Sequence, residues 1–435
     1  MSPTRLEQLP PRLLPILYFG LSHAAFMAAW TAVAADPLAV AGFFYHARML
    51  AIVHLVTLGW ITASILGALY LVGPIAMRVR IAATWLDYSA FGCFAAGLAG
   101  LAGQFWLQEI RWLGWAGAAV GVGILIVGFR VVPLLIASAL PRAVTAHVAL
   151  SFVNIVLAAA LGVAIGFDKR YGFLPWGPLP AVFAHVHLAA VGWASMMAVG
   201  VAYRLLPMIL PAQMPGGGRL WTSAILLELG VLGLAAALLS GSRSTAAFAL
   251  TIVAGIAAFL SQVVWMVRHP RPRPPAVRMP DPAVAHAAAA FASLVLASIL
   301  GVWLTLATTS TSFLRAALAY GVFGLIGFLS QLVVGMEGRL LPLFAWYWAY
   351  ANTGFKGPVP SPHEMGWRSG QELIFVLWLF GVPSLAAGLA LGAVPFARAA
   401  AWSLLAATVL DTVNMVRIVR HAFPHPIRVQ SPERE

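Results

Sequence analysis

Two stretches of this chain are near-copies of each other, and both are apolar enough to lie inside a membrane. Residues 54–74 read HLVTLGWITASILGALYLVGP and residues 187–207 read HLAAVGWASMMAVGVAYRLLP. His54 matches His187, Gly59 and Trp60 match Gly192 and Trp193, and Gly67, Tyr70 and Pro74 match Gly200, Tyr203 and Pro207. A third copy, 323–342, keeps Gly327, Phe328, Gly335 and Pro342 but has Val322 where the histidine would fall. A second pattern runs one helix upstream: AHVALSFVNIVLAAALG at 146–162 matches AHAAAAFASLVLASILG at 285–301 through His147/His286, Phe152/Phe291 and Gly162/Gly301. Near the first copy, SHAAFMAAW with His23 is a looser counterpart. Spacings of 133 residues (His54 to His187), 139 (His147 to His286) and 135 (Pro207 to Pro342) divide the chain into three four-helix units.

The hydropathy agrees. A bilayer core of about 30 Å takes roughly 20 apolar residues per helix. Twelve such runs are expected, at 13–35, 50–76, 83–107, 112–136, 143–166, 180–207, 220–240, 246–267, 283–308, 316–341, 370–392 and 394–416. With 61% hydrophobic and 9% charged residues and a mean hydropathy of +0.90, the 435-residue chain is a polytopic membrane protein. Runs this long predict an all-α bundle, because each backbone polar group must be satisfied within lipid. One integral membrane domain, 1–435, is expected, with linkers at 268–282 and 351–369 and no cleavable leader.

The net charge of +13 does not indicate nucleic acid. With twelve spans, 19 of the 26 Lys and Arg fall on the side carrying the N-terminus, which places both ends in the cytoplasm. The lone Cys93 excludes an internal disulfide and a C-x-x-C-H haem attachment, and is read as a small core residue.

Histidine inside lipid is costly and points inward to a role. His54 and His187 begin even-numbered helices at similar depth, near the non-cytoplasmic face, and neutral imidazole is a normal axial ligand of haem iron. They are the candidate metal ligands. Gly59 and Gly192 remove bulk five residues on, as for a flat cofactor; the plainer reading of Gly-Trp is helix packing or an interfacial anchor. His185 projects about 200° from His187, so the two cannot face one site at one height. His185 and His23 remain candidates for ligation or for a supporting hydrogen bond. His147 and His286 read as interfacial residues at helix starts, and Glu337, Arg339 and Arg204 as snorkelling charges or a paired, proton-handling group. His269, His363, His421 and His425 fall in linkers and tail without a usable spacing.

Twelve helices, threefold repetition and a histidine in the second span resemble the haem–copper oxidase subunit I superfamily. The likeness is greatest to its short divergent members, the cbb3-type, nitric-oxide-reductase-like and NnrS-type proteins. It covers the whole chain in helix count and repeat, but its specific motifs lie in spans 2 and 6. The resemblance implies that His54 binds a low-spin haem and that His185 or His187 stands where the family binds copper B. The family's paired histidines in span 7 are missing, as are its two in span 10. A copper B site and a standard proton-pumping terminal oxidase are therefore not expected. One non-covalent haem is, either five-coordinate or held by a pair such as His54 with His187 or His23.

The expected function is that of a haem protein in a prokaryotic-type inner membrane, serving electron transfer or nitric oxide and oxygen handling, an oxidoreductase by class. Its partners are lipid and a redox or respiratory subunit. Three other readings stand beside it. One is a twelve-helix transporter or channel, against which the threefold rather than twofold repeat counts. Another is a haem-free structural partner of a respiratory complex. The last is a copper or zinc site from His54, His185 and His187.

Overall fold

A computed structural model describes residues 9–77, 79–273, 279–351 and 359–423. His425 and the basic residues Arg5, Arg78, Arg278, Lys356, Arg428 and Arg434 lie outside the described residues, as do parts of both expected linkers. The described chain is all-helical, with twelve helices long and apolar enough to cross a membrane. They are α1 (Leu13–Ala35), α2 (Ala47–Ile75), α3 (Trp85–Leu107), α4 (Leu113–Ile136), α5 (Arg142–Tyr171), α6 (Pro178–Ile209), α7 (Arg219–Ser240), α8 (Thr245–Arg268), α9 (Pro282–Leu306), α10 (Thr311–Tyr350), α11 (Arg368–Leu391) and α12 (Val394–Arg420). The tenth departs most from its apolar run, extending nine residues beyond 316–341.

Each four-helix unit is an inner pair followed by an outer hairpin. The hairpins α3–α4, α7–α8 and α11–α12 close on glycines. A Cβ on Gly97 would sit 2.6 Å from Val120 N, one on Gly230 2.7 Å from Ile252, and one on Gly388 2.7 Å from Ala397 N. Backbones approach this closely because lipid offers no hydrophobic drive between helices, so packing contact must hold them together. The first helix of each hairpin ends on a left-handed residue, at Gln108 (φ 60), Gly241 (φ 64) and Gly392 (φ 68). Two of the three are glycine, as a left-handed cap prefers.

The inner pairs repeat with the same fidelity. A Cβ on Gly59 would lie 2.4 Å from Ala25 Cβ, one on Gly192 2.7 Å from Asn154 Cβ, and one on Gly327 2.6 Å from Ser293 Oγ. Two turns on, Gly67 meets Tyr18, Gly200 meets His147 and Gly335 meets His286, at 3.0, 2.5 and 2.8 Å. This register corrects the alignment of the first helices. Tyr18, not His23, is the counterpart of His147 and His286. It also moves those two histidines from the expected interface into the packed interior: both are buried, and His147 is bonded to Ala143 O and Ser223 Oγ.

Within α2, α6 and α10 the helix widens into a π-helical stretch at the same place, Leu55–Thr62, Leu188–Ser195 and Val322–Ser330. Ser195 Oγ donates to Ala190 O and Ser330 Oγ to Leu325 O, each five residues back, satisfying carbonyls along the widened turn. Such turns are rare and gather at functional sites. The three stretches pack against one another at the centre, and α12 packs back on α1 to close the ring. Trp60, Trp193 and Phe328 fill the interior there, and Trp193 Nε1 donates across units to Thr62 Oγ1 at 3.1 Å. These aromatics are core, not interfacial anchors.

Gly200→Leu is expected to lower stability by about 1–3 kcal/mol through overpacking against His147. Gly92→Ala, with nothing within 4 Å of the new carbon, is expected to be neutral. Thermal aggregation in detergent, followed by fluorescence-detected size exclusion, checks both; equal loss in the two would contradict the packing account.

Candidate functional site

A cavity of about 450 Å³ lies at the end of the bundle where α2, α6 and α10 begin, enclosed also by α7, α8 and α9. Its wall is apolar, with Met49, Val53 and Val56 from α2, Phe183 and Val191 from α6, and Leu318, Val322 and Leu325 from α10. His187 and Tyr320 are its main polar features. His187 Nδ1 lies 2.7 Å from Phe183 O, so it carries the hydrogen and donates it. The Nε2 lone pair is thereby left to accept from Tyr320 OH at 3.2 Å, the rings 6.2 Å apart and nearly parallel.

The glycine register explains this pair. Tyr320 stands two residues before Val322, and His185 stands two before His187. A glycine of the preceding helix makes room for each ring: Gly162 for His185 and Gly301 for Tyr320, where an added Cβ would come within 2.7 and 3.1 Å. Position two before His54 is Ile52, which has no ring. The same geometry therefore makes each helix of the central trio face its neighbour through a different pair. His187 meets Tyr320 at the α6–α10 contact, and His54 and His185 lie within electrostatic reach at the α2–α6 contact.

His54 and His185 resemble His187 in one respect. His54 Nδ1 bonds Leu50 O at 2.7 Å and His185 Nδ1 bonds Ala158 O at 2.8 Å. Their Nε2 atoms have no hydrogen-bond partner among the described residues. His54 also stacks on Phe105 of α3, with ring centres 5.2 Å apart. Of the expected ligands, His187 lines the cavity, whereas His54 stacks on Phe105 of α3 and is not one of the cavity's lining residues. Gly59 and Gly192 face helices α1 and α5, where they allow close packing, and do not line this cavity.

His23 belongs to another cluster. Its Nε2 lies 3.0 Å from Glu337 Oε2 and its Nδ1 2.9 Å from Thr412 Oγ1. Glu337 therefore pairs with His23, not with Arg339 or Arg204 and not with the interface. Arg339 binds Asp281 and donates to His363 Nδ1, and Arg204 donates to Ala76 O. Burial and the Arg339 guanidinium hold the His363 imidazole below its usual range, Asp281 partly offsetting them. His363 is thus a neutral acceptor at neutral pH.

Tyr320 and Asp411 are the residues a reading of histidines misses. Tyr320 has a signal in the sequence, in the third repeat copy and the Gly162/Gly301 match; Asp411 has none. No protein-family model matches the chain, and no curated protein matches it.

Tyr320→Phe, which keeps the ring but removes the hydroxyl bonded to His187 Nε2, is expected to lower stability by about 0.5–1.5 kcal/mol. Thermal aggregation in detergent checks it, and unchanged or increased stability would contradict the pairing.

Proposed function

We propose that this is a haem-binding integral membrane protein, with His187 as the axial imidazole for a single non-covalent haem in the apolar cavity. The observation that supports it most is the combination at His187: an imidazole whose Nδ1–H is committed to a backbone carbonyl, lining an apolar cavity of about 450 Å³. A backbone-anchored Nδ1–H fixes the tautomer and leaves Nε2 basic, as an axial ligand requires. A mostly apolar concavity with few convergent polar groups is the usual form of a cofactor site. The donor set and the wall fit the group.

When bound, haem supplies reversible one-electron chemistry and, if one axial position is open, binding of diatomic gases. The chain's own residues do the rest. Phe183 O orients the His187 ring, Tyr320 OH would release Nε2 to the iron and remain as a donor on the cavity wall, and the surrounding Val, Leu and Met side chains would exclude water. His54 and His185 are two further imidazoles with unpartnered Nε2 atoms beside the same central trio. The proposed roles are electron transfer or nitric oxide and oxygen handling. The prokaryotic inner membrane and cytoplasmic ends remain part of this proposal, resting on the arginine distribution.

The second reading is a cation-coupled transporter. It is favoured by one observation, the buried Glu337 and Asp411 beside His23 in the middle of the bundle.

Purified in mild detergent, the protein is expected to show a Soret band and dithionite-reducible α/β bands at about one haem per chain. His187→Ala is expected to abolish or strongly shift them, and His269→Ala to leave them unchanged. A Soret band lost in His54→Ala but kept in His187→Ala would move the iron to the His54–His185 pair. No haem in protein made under haem-replete conditions would overturn the reading and favour transport.

A further inference from the structure

Haem binding leaves unused a second cluster, deep in the bundle. His23 of α1, Glu337 of α10 and Asp411 of α12 are 1%, 3% and 5% exposed, and each presents a ligand-type atom within 4.8 Å of the other two. By helical rise, His23 lies about 15 Å from the start of α1 and Asp411 about 14 Å from the end of α12. Both lie in the interior of helices long and apolar enough to cross a membrane.

The hydrogen bonds determine what the cluster lacks. Thr412 Oγ1 sits 2.7 Å from Thr408 O, which only accepts, so the hydroxyl hydrogen goes there in preference to the Met27 sulfur at 3.9 Å. Thr412 Oγ1 then accepts from His23 Nδ1–H at 2.9 Å. That turns the His23 Nε2 lone pair on Glu337 Oε2 at 3.0 Å, two acceptors face to face. A proton or a cation must lie between them. Ser64 Oγ donates to the other oxygen of Glu337 at 3.3 Å. Asp411 Oδ2 is buried with no hydrogen-bond partner among the described residues. No lysine or arginine among the described residues pairs with either carboxylate. Leaving carboxylates uncompensated in such a medium is strongly unfavourable.

A cavity of about 250 Å³ reaches Asp411 from loop-side residues Asp281, Arg339 and His363. Along it lies His286, 3% exposed, whose Nδ1 is a second buried polar atom without a partner. The Arg339 charge at the mouth is held by Asp281.

We propose that His23, Glu337 and Asp411 bind a divalent transition-metal ion of the zinc type, reached through this cavity from the side carrying both described chain ends. One imidazole nitrogen and two carboxylate oxygens form a donor set that zinc accepts, with the fourth position left to water on the cavity side. The imidazole favours a transition metal over magnesium or calcium. Thr412 fixes the ring so that Nε2 faces the ion, the usual supporting contact of a metal-bound histidine. The ion's two charges offset the two carboxylates, and its binding displaces the proton otherwise held between His23 and Glu337 into the cavity.

Cobalt(II) is a spectroscopic probe for such a site. Full-length protein stripped with a chelator and titrated with Co²⁺ is expected to develop visible d–d bands at one ion per chain, bleached by Zn²⁺ and accompanied by proton release. Asp411→Asn and Glu337→Gln are expected to remove this binding, and Thr412→Val to weaken it about 10–100-fold. His54→Ala and His187→Ala are expected to keep it, which separates this proposal from the haem reading. Should the carboxamide variants fail to fold, X-ray absorption of the zinc-loaded wild type is expected to show only nitrogen and oxygen neighbours at about 2.0–2.2 Å, with one imidazole. No stoichiometric Co²⁺ binding at pH 8, binding that survives both carboxamide variants, or a spectrum with several imidazoles would each overturn the proposal. The first would leave the cluster as a proton-holding site.

Discussion

The bundle depends on how closely α2, α6 and α10 approach the helices before them. Gly59, Gly192 and Gly327 leave no room for a Cβ, and Gly67, Gly200 and Gly335 repeat the constraint two turns on. With hydrophobic drive absent between helices in lipid, these contacts carry the association. They press three π-helical stretches together on a common axis, which puts the first turns of α2, α6 and α10 in equivalent positions. Which side chain occupies each position then decides what each inter-unit contact can do.

That geometry makes one backbone plan yield three different contacts. A ring can stand two residues before the histidine position only where the preceding helix supplies a glycine. His185 has Gly162 and Tyr320 has Gly301, and the first unit has neither ring nor glycine. The α6–α10 contact couples His187 to Tyr320 beside the large apolar cavity, whereas His54 stacks on Phe105 of α3. The His23 cluster is distinct from that cavity, because it takes its donors from α1, α10 and α12 at residues that do not line it.

Much of the architecture is legible in the sequence. Twelve spans follow from apolar length, and the three-unit plan follows from glycine, proline and aromatic spacing that the structure repeats contact for contact. The departures share a cause. By letter, His23 aligns with His147 and His286, whereas the contact register at Gly67 puts Tyr18 there. Tyr320 escapes a search for histidines because it differs in type from the residue it replaces. Glu337 reads as an interfacial charge from its place near a helix end, but its partner, His23, is 314 residues away. Local pattern does not report which distant helices meet, so the His23–Glu337–Asp411 cluster becomes visible only once the helices are packed.

The central claim is that the His187 nitrogen, in its apolar cavity, is what holds an iron macrocycle. Chemical rescue tests it most directly. His187→Gly, purified and supplied with haem, is expected to bind it weakly or not at all, and added imidazole is expected to restore the wild-type ferrous spectrum by occupying the vacated space. A wild-type protein that takes up no haem, or a glycine variant whose haem spectrum is unchanged with and without imidazole, would contradict it.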